Sequence, residues 1–237
     1  MFVSRLNQSL ILRLTRARQL KTLLSNQLSY THQFSKESLI ELSQTITQIE
    51  GLTQQGDQLM KGYRALALAR QLLYQKAPLS LKAMSNAVLA EVGQQHGFTS
   101  TPYQVSKLVV HKISIQNAMP APDDLFGPAI EKEWLHYERS YQALNEHFRL
   151  LIKTLTLFAY QPADASLRGD NLQARLTLLE QSGQETRQSR DRLLRVYQDR
   201  TALFRHLKWQ IDSILLRVRH LYGSTDAVYL AAKKLKI

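Results

Sequence analysis

Apolar residues in this chain recur at spacings of three and four, most regularly in its C-terminal half. From Ile130, the positions Trp134, Tyr137, Tyr141, Leu144, Phe148, Leu151, Leu155 and Phe158 alternate steps of four and three without a miss. That is a heptad seam, the pattern of a helix that packs along one stripe. Pro128 suits the first turn, where its missing N–H is not needed. A second seam runs through Leu172, Leu176, Leu179, Gly183, Thr186, Arg190, Leu193, Tyr197, Arg200, Phe204, Leu207, Ile211, Ile214, Val218 and Leu221. Gly183, Thr186, Arg190 and Arg200 are not apolar, so this seam weakens in its middle and tightens after Phe204. As one helix it would be on the order of 75 Å long; Gly183 is the candidate break. Gly223 suits a helix stop, and Ser224 is a candidate cap for a short final helix, Asp226–Leu235.

The N-terminal half predicts a first helix from about Val3 to Leu28, with Leu6, Leu10, Leu14, Ala17 and Leu24 on its apolar face. Ser38 and Glu41 form a capping box at the head of a second helix. Its face reads Leu42, Ile46, Ile49, Leu52, Leu59, Tyr63, Leu66 and Leu73, and Pro78 ends it. Gly51, Gly56 and Gly62 interrupt that pattern, each costing about 1 kcal/mol relative to Ala; they mark a kink or a close neighbour. A short helix over Leu81–Gln95 is capped by Ser80 and stopped by Gly97. Residues 98–127 are the least helical. Tyr103, Val105, Val109, Ile113 and Ile115 keep a broken period of two, so Val109–Gln116 reads either as a strand or as a buried helix. Pro120, Pro122 and Pro128 mark the best candidate boundary.

These patterns predict an all-α fold, an elongated bundle of long antiparallel amphipathic helices with heptad seams and a small inserted subdomain. The expected division is an N-terminal helical hairpin (1–76), a short-helix insertion (77–127) and a C-terminal long hairpin with a short terminal helix (128–237), forming one structural unit. No repeat supports a solenoid. The ending Leu221-Tyr222-Gly223-Ser224-Thr225-Asp226-Ala227-Val228-Tyr229 resembles the close of some uncharacterised bacterial helical-bundle proteins, where a long helix ends in an aromatic-Gly turn before a Tyr. The resemblance is confined to that turn. It implies a bundle fold and a bacterial source, and no activity.

Composition narrows the chemistry. With only 9 Gly and 6 Pro, the chain lacks the turn residues a β-rich fold of this length needs. With no cysteine, a disulfide framework, a thiolate metal site and a cysteine nucleophile are all excluded. The net charge of +12 attracts nucleic acid, anionic lipid or an acidic protein. No apolar run reaches the length of a membrane helix; the most apolar segment, Leu150–Tyr160, is interrupted by Lys153. The expected compartment is the cytoplasm. Residues 1–36 hold Arg5, Arg13, Arg16, Arg18, Lys21 and Lys36 with no acid before Glu37, which makes the mitochondrial matrix the alternative; an ordinary first helix is the preferred explanation.

Motifs for catalysis are scarce. Neither phosphate-binding glycine motif occurs. Glu133 and His136 form an E-x-x-H, the i, i+3 spacing used by di-iron bundles, but no second copy accompanies it and His136 lies beside the seam. The remaining histidines, His32, His96, His111, His147, His206 and His220, do not pair as metal ligands. Glu131, Glu133 and Glu138 are candidate acid/base carboxylates and read more simply as solvated charges. No catalytic residue, cofactor, metal or small-molecule ligand is therefore predicted. The helices flanking Gly97–Ser100 allow a helix-turn-helix that would present Lys107, His111 and Lys112 to phosphates or bases, or a helical cap on the bundle. The basic residues of Arg187–Arg219 fall on nearly every heptad position, as solvating side chains do. The leading expectation is a non-enzymatic scaffold or protein-interaction module, with a protein partner or homo-oligomer. Arg190, Arg200, Phe204 and Leu207 would form an internal or intermolecular contact. The alternatives are a nucleic-acid-binding protein using its basic surface and the 77–127 insertion, and a binder of anionic membrane surfaces.

Overall fold

In the computed structural model, the three-and-four spacing becomes helix along almost the whole chain. Residues 5–27, 30, 36–76, 79–122 and 128–237 are described, and among them there is no strand. The helices are α1 (Arg5–Ser25), α2 (Lys36–Gln71), α3 (Leu81–His96), α4 (Thr101–Ile115), α5 (Pro128–Leu157), α6 (Gly169–Tyr222) and α7 (Ala227–Lys234). A π-helical turn, Leu72–Lys76, continues α2, and a 3₁₀ turn, Ala165–Leu167, precedes α6. The all-α bundle class is thereby established.

Several local expectations change. The helix α2 begins at Lys36, so Ser38 lies inside it and does not cap it. The Ser38 hydroxyl stands 3.4 Å from the buried Tyr30 phenol. Gly183 does not break α6, which runs 54 residues through it. Residues 109–115 are helix, not strand: Ser106, Val109, Val110 and Ile113 are buried at steps of three, one and three, while Ile115 is exposed. The apparent period of two mixed residues from both faces of α4. Asp226, and not Ser224, caps α7, its carboxylate accepting the Val228 N–H at 2.7 Å. Ser80 caps α3 as expected, and Gly97 ends it at φ +89°, where a side chain would be strained. Pro78 lies outside the described residues.

The chain forms two compact units, each drawing on separated stretches of sequence. The first contains residues 1–58 and 193–237. Its core joins Leu14, Ala17, Leu20 and Leu24 of α1 to Leu42, Ile46 and Ile49 of α2. Phe204, Leu207, Ile211, Ile214 and Val218 of α6 and Ala232 of α7 complete it. The apolar face of α1 is therefore part of a core. Gly56 admits the Tyr197 ring, which would lie 3.3 Å from an added Cβ.

The second unit is residues 59–192. Here the α5 seam from Trp134 to Leu155 is buried, as are Leu172, Leu176 and Leu179 of α6. The helices α3 and α4 pack on each other, and α4 packs on α5. Lys82 near the start of α3 donates to the Ser114 carbonyl near the end of α4 at 2.8 Å. Contact between these far ends requires an antiparallel hairpin. A DNA-reading helix-turn-helix splays its helices at about 90–120° and holds those ends apart. The turn at Gly97–Ser100 therefore closes an antiparallel hairpin, not a helix-turn-helix.

Candidate functional site

Two groups of side chains stand out, one inside the second unit and one on the surface of the first. The buried group centres on Arg70, which is 2% exposed. It arises because Tyr63, Ala67, Arg70 and Tyr74 fall at steps of four, three and four, so one face of α2 and its π-turn carries a charge into the core. Arg70 Nη1 donates to Glu138 Oε1 at 2.6 Å and Nη2 to Oε2 at 3.5 Å. The guanidinium lies 4.1 Å from the Tyr141 ring centre and 5.2 Å from that of Tyr137, close enough for cation–π attraction. Burial pulls the Arg70 pKa down; the hydrogen bond and charge of Glu138 outweigh that and hold it above the ordinary value.

The surroundings are aromatic. Tyr74 donates to Asn145 Oδ1 at 2.6 Å, and its ring meets Tyr141 edge-on. Tyr141 donates to the Met119 carbonyl at 3.1 Å. Trp134 stacks obliquely on Tyr137 and carries Arg190 over its ring at 4.5 Å. Burial pushes the phenols of Tyr63, Tyr74, Tyr137 and Tyr141 up, Tyr74 to about 12. A fixed arginine, the carboxylate paired with it and the surrounding phenols make a polar core that specifies packing. Glu138 is thus no solvated charge, contrary to the sequence reading. Glu131 and Glu133 are exposed, as is His136. Among the described residues, no cluster of three or more His, Asp or Glu is arranged to hold a metal.

The four seam residues singled out from sequence are all buried within the chain. Arg190 faces Glu131 at 3.6 Å and Asp191 at 3.9 Å. Arg200 lies 4.5 Å over the Tyr197 ring, and burial lowers its pKa against the opposing influence of Tyr197 and Asp57. Phe204 and Leu207 sit in the core of the first unit. Lys107, His111 and Lys112 are exposed on α4. They share its outer side with Leu108 and Ile115, which are 67% and 63% exposed.

The surface group was missed. It lies on α6 opposite the first unit's core. At about 100° per residue, Arg195, Arg205, His206, Trp209, Leu216 and His220 fall on one side of the helix, and all six are exposed. Trp209 is 66% exposed and stacks on His206 at 5.7 Å and 22°. Its position was a usable signal: an indole between seam residues Leu207 and Ile211 must point away from the core. Charge gathers in the same unit, which holds 15 Lys and Arg against seven Asp and Glu. Several acids there are already engaged. Asp212 pairs with Lys208 and Lys236 at 3.4 and 3.2 Å, Glu50 pairs with Arg18, and Asp226 caps α7. No helix among the described residues is long and apolar enough to cross a membrane. Compared with known protein families, with curated proteins and with solved structures, the chain matches none.

Proposed function

We propose that this protein is a non-enzymatic helical-bundle protein that binds nucleic acid through the basic surface of its first unit. The observation that carries this is the excess of 15 cationic over seven anionic side chains in that unit, with Arg205 exposed one turn from an exposed indole and Arg195 exposed further along the same side of α6. Each phosphate neutralised by Lys or Arg releases condensed counterions, so such binding has a defined salt response. A surface contacting about five phosphates loses on the order of 10²- to 10³-fold in affinity between about 50 and 200 mM salt. Fluorescence anisotropy of labelled single-stranded and duplex DNA at those salt concentrations tests this. Arg195→Gln with Arg205→Gln should weaken binding and flatten the salt slope. Affinity that ignores salt, or no binding at low salt, overturns the proposal.

A second function, as a protein-interaction module, is supported by the α3–α4 hairpin. Leu108 and Ile115 lie one heptad apart on its outer side, an exposed apolar pair suited to a second helix. If that face joins two copies, light scattering should show a dimer that Leu108→Glu converts to monomer.

A further inference from the structure

Most of the exposed α6 face in the first unit is cationic or polar, yet it holds a large aromatic ring in water. Trp209 is two-thirds exposed although its neighbours on the seam, Leu207 and Ile211, are fully buried. His206 stacks on it nearly parallel, which orders the indole before any partner arrives. Arg205 lies on the same side one turn before it, and Arg195, Leu216 and His220 extend the face over about 37 Å of helix. Asp199 and Asp212 stand at opposite edges of this face, and Asp212 is already paired with Lys208 and Lys236.

The chemistry distinguishes among anionic partners. A helix lying on a lipid surface needs a continuous apolar side to sink into the acyl boundary. This face offers Trp209 and Leu216, seven residues apart, with arginine and histidine around them. A duplex presents phosphates to the arginines but keeps its base faces stacked and closed to the indole. An unpaired strand presents both at once, a phosphate backbone and free base faces, and ordered aromatic rings between cationic side chains are how proteins hold such strands.

We infer that Trp209 is a base-stacking platform and that this face binds single-stranded nucleic acid in preference to duplex. The inference rests on the nucleic-acid function proposed above and assigns its ligand class. Trp209 supplies a sequence-tolerant stack, His206 orders the ring, and Arg205 and Arg195 contact flanking phosphates. Stacking on one aromatic side chain changes affinity by about 5- to 150-fold on alanine substitution.

The test uses the full chain with fluorescein-labelled oligo(dT) of about 20 nucleotides, within the range of known single-strand sites, and a duplex of equal length, at low salt. Trp209→Ala should weaken oligo(dT) binding about tenfold or more, within the expected stacking range, and leave duplex binding nearly unchanged. Trp209→Phe, which keeps a ring, should retain most of the affinity. At 66% exposure Trp209 contributes little to the core, so circular dichroism should be unaltered in both variants. Trp134 is the other indole and is buried. Oligo(dT) should therefore quench the native emission, and Trp209→Ala should abolish that quenching. If Trp209→Ala binds oligo(dT) as the native chain does, stacking is overturned while salt-dependent binding of both DNAs leaves the electrostatic proposal standing. If neither DNA binds, both fall. If phosphatidylserine-containing vesicles shift the Trp209 emission to the blue and oligo(dT) does nothing, the ligand is a lipid surface and the inference is overturned.

Discussion

Replacing Gly183 by alanine should destabilise the protein, although it puts a better helix former in the middle of α6. In a helix interior Ala is favoured over Gly by about 0.8–1.0 kcal/mol. At Gly183 the new Cβ would stand 2.9 Å from Arg70 Nη2 and 3.4 Å from its Cζ. The guanidinium is the far end of a flexible side chain, which would ordinarily swing aside. Here it is held by Glu138 at 2.6 Å and covered by the Tyr141 ring at 4.1 Å. Displacing it forfeits a hydrogen bond to a charged group, about 1.5–3 kcal/mol. The helix gain offsets part of that, leaving Gly183→Ala destabilising by about 1–2 kcal/mol.

The sign should reverse once the arginine is gone. In an Arg70→Met, Glu138→Leu background the Cβ meets no pinned cation, and Gly183→Ala should stabilise by about 1 kcal/mol, the bare helix preference. Urea denaturation followed at 222 nm, in all four combinations, gives the coupling directly. The expected value is about 2–3 kcal/mol, well above the ~0.5 kcal/mol typical of independent sites. Equal effects of Gly183→Ala in both backgrounds would refute the reasoning, as would stabilisation in the native one.

Two further outcomes follow from the same core. Arg70→Met alone removes the hydrogen-bonded partner of the buried Glu138 and leaves it the half-exposed Arg187 at 3.6 Å; it should cost about 3–5 kcal/mol, whereas the double replacement with Glu138→Leu should be neutral or stabilising by up to about 4 kcal/mol in the same denaturation assay. Alkali should unfold the protein as the buried phenols ionise. Tyr74 is held at about 12 against an ordinary 10.0. Its contribution is therefore fully present below about pH 10 and is lost as pH rises towards 12, removing on the order of 2–3 kcal/mol. Stability by urea titration that stayed flat from pH 9 to 12 would contradict the burial of these phenols.

The seams of α5 and α6 were legible because heptad spacing survives tertiary packing. Every α6 position from Leu172 to Val218 along that seam is buried, the four non-apolar ones included. Legibility failed on α2, where Arg70 occupies the buried stripe. The steps Tyr63, Ala67, Arg70 and Tyr74 are as regular as those of α5. A reading that admits only apolar residues passes over Arg70 to Leu66 and Leu73, which the structure leaves half-buried. Glu138 was misassigned for the same reason, since a carboxylate beside a seam tyrosine looks solvated until its partner is known. Among the candidates for binding, Lys107, His111 and Lys112 are as exposed as expected, but the geometry that motivated them, a splayed pair of helices, is replaced by an antiparallel hairpin. Nothing in the local sequence sets that angle. It depends on which faces of α3 and α4 bury each other.

Arg70, Arg190 and Arg200 meet one physical problem in the same way. Each enters a core at a position where the heptad asks for an apolar side chain, and each lies within 4.5 Å of an aromatic ring centre, Tyr141, Trp134 and Tyr197 in turn. A guanidinium is flat and weakly hydrated, so a ring face replaces part of the lost solvent where an ammonium would be left exposed to a larger penalty. Leucine would fill such places with less electrostatic cost. It would also fit any register of a repeating seam, since one apolar layer resembles the next every seven residues. An arginine that must find a ring on a neighbouring helix, as Arg70 and Arg190 do, accepts one register, whereas Arg200 rests on Tyr197 of its own helix. Buried polar seam residues act in this way in coiled coils. On α6 both such arginines, Arg190 and Arg200, lie in the stretch where the apolar repeat is interrupted, between Leu179 and Phe204.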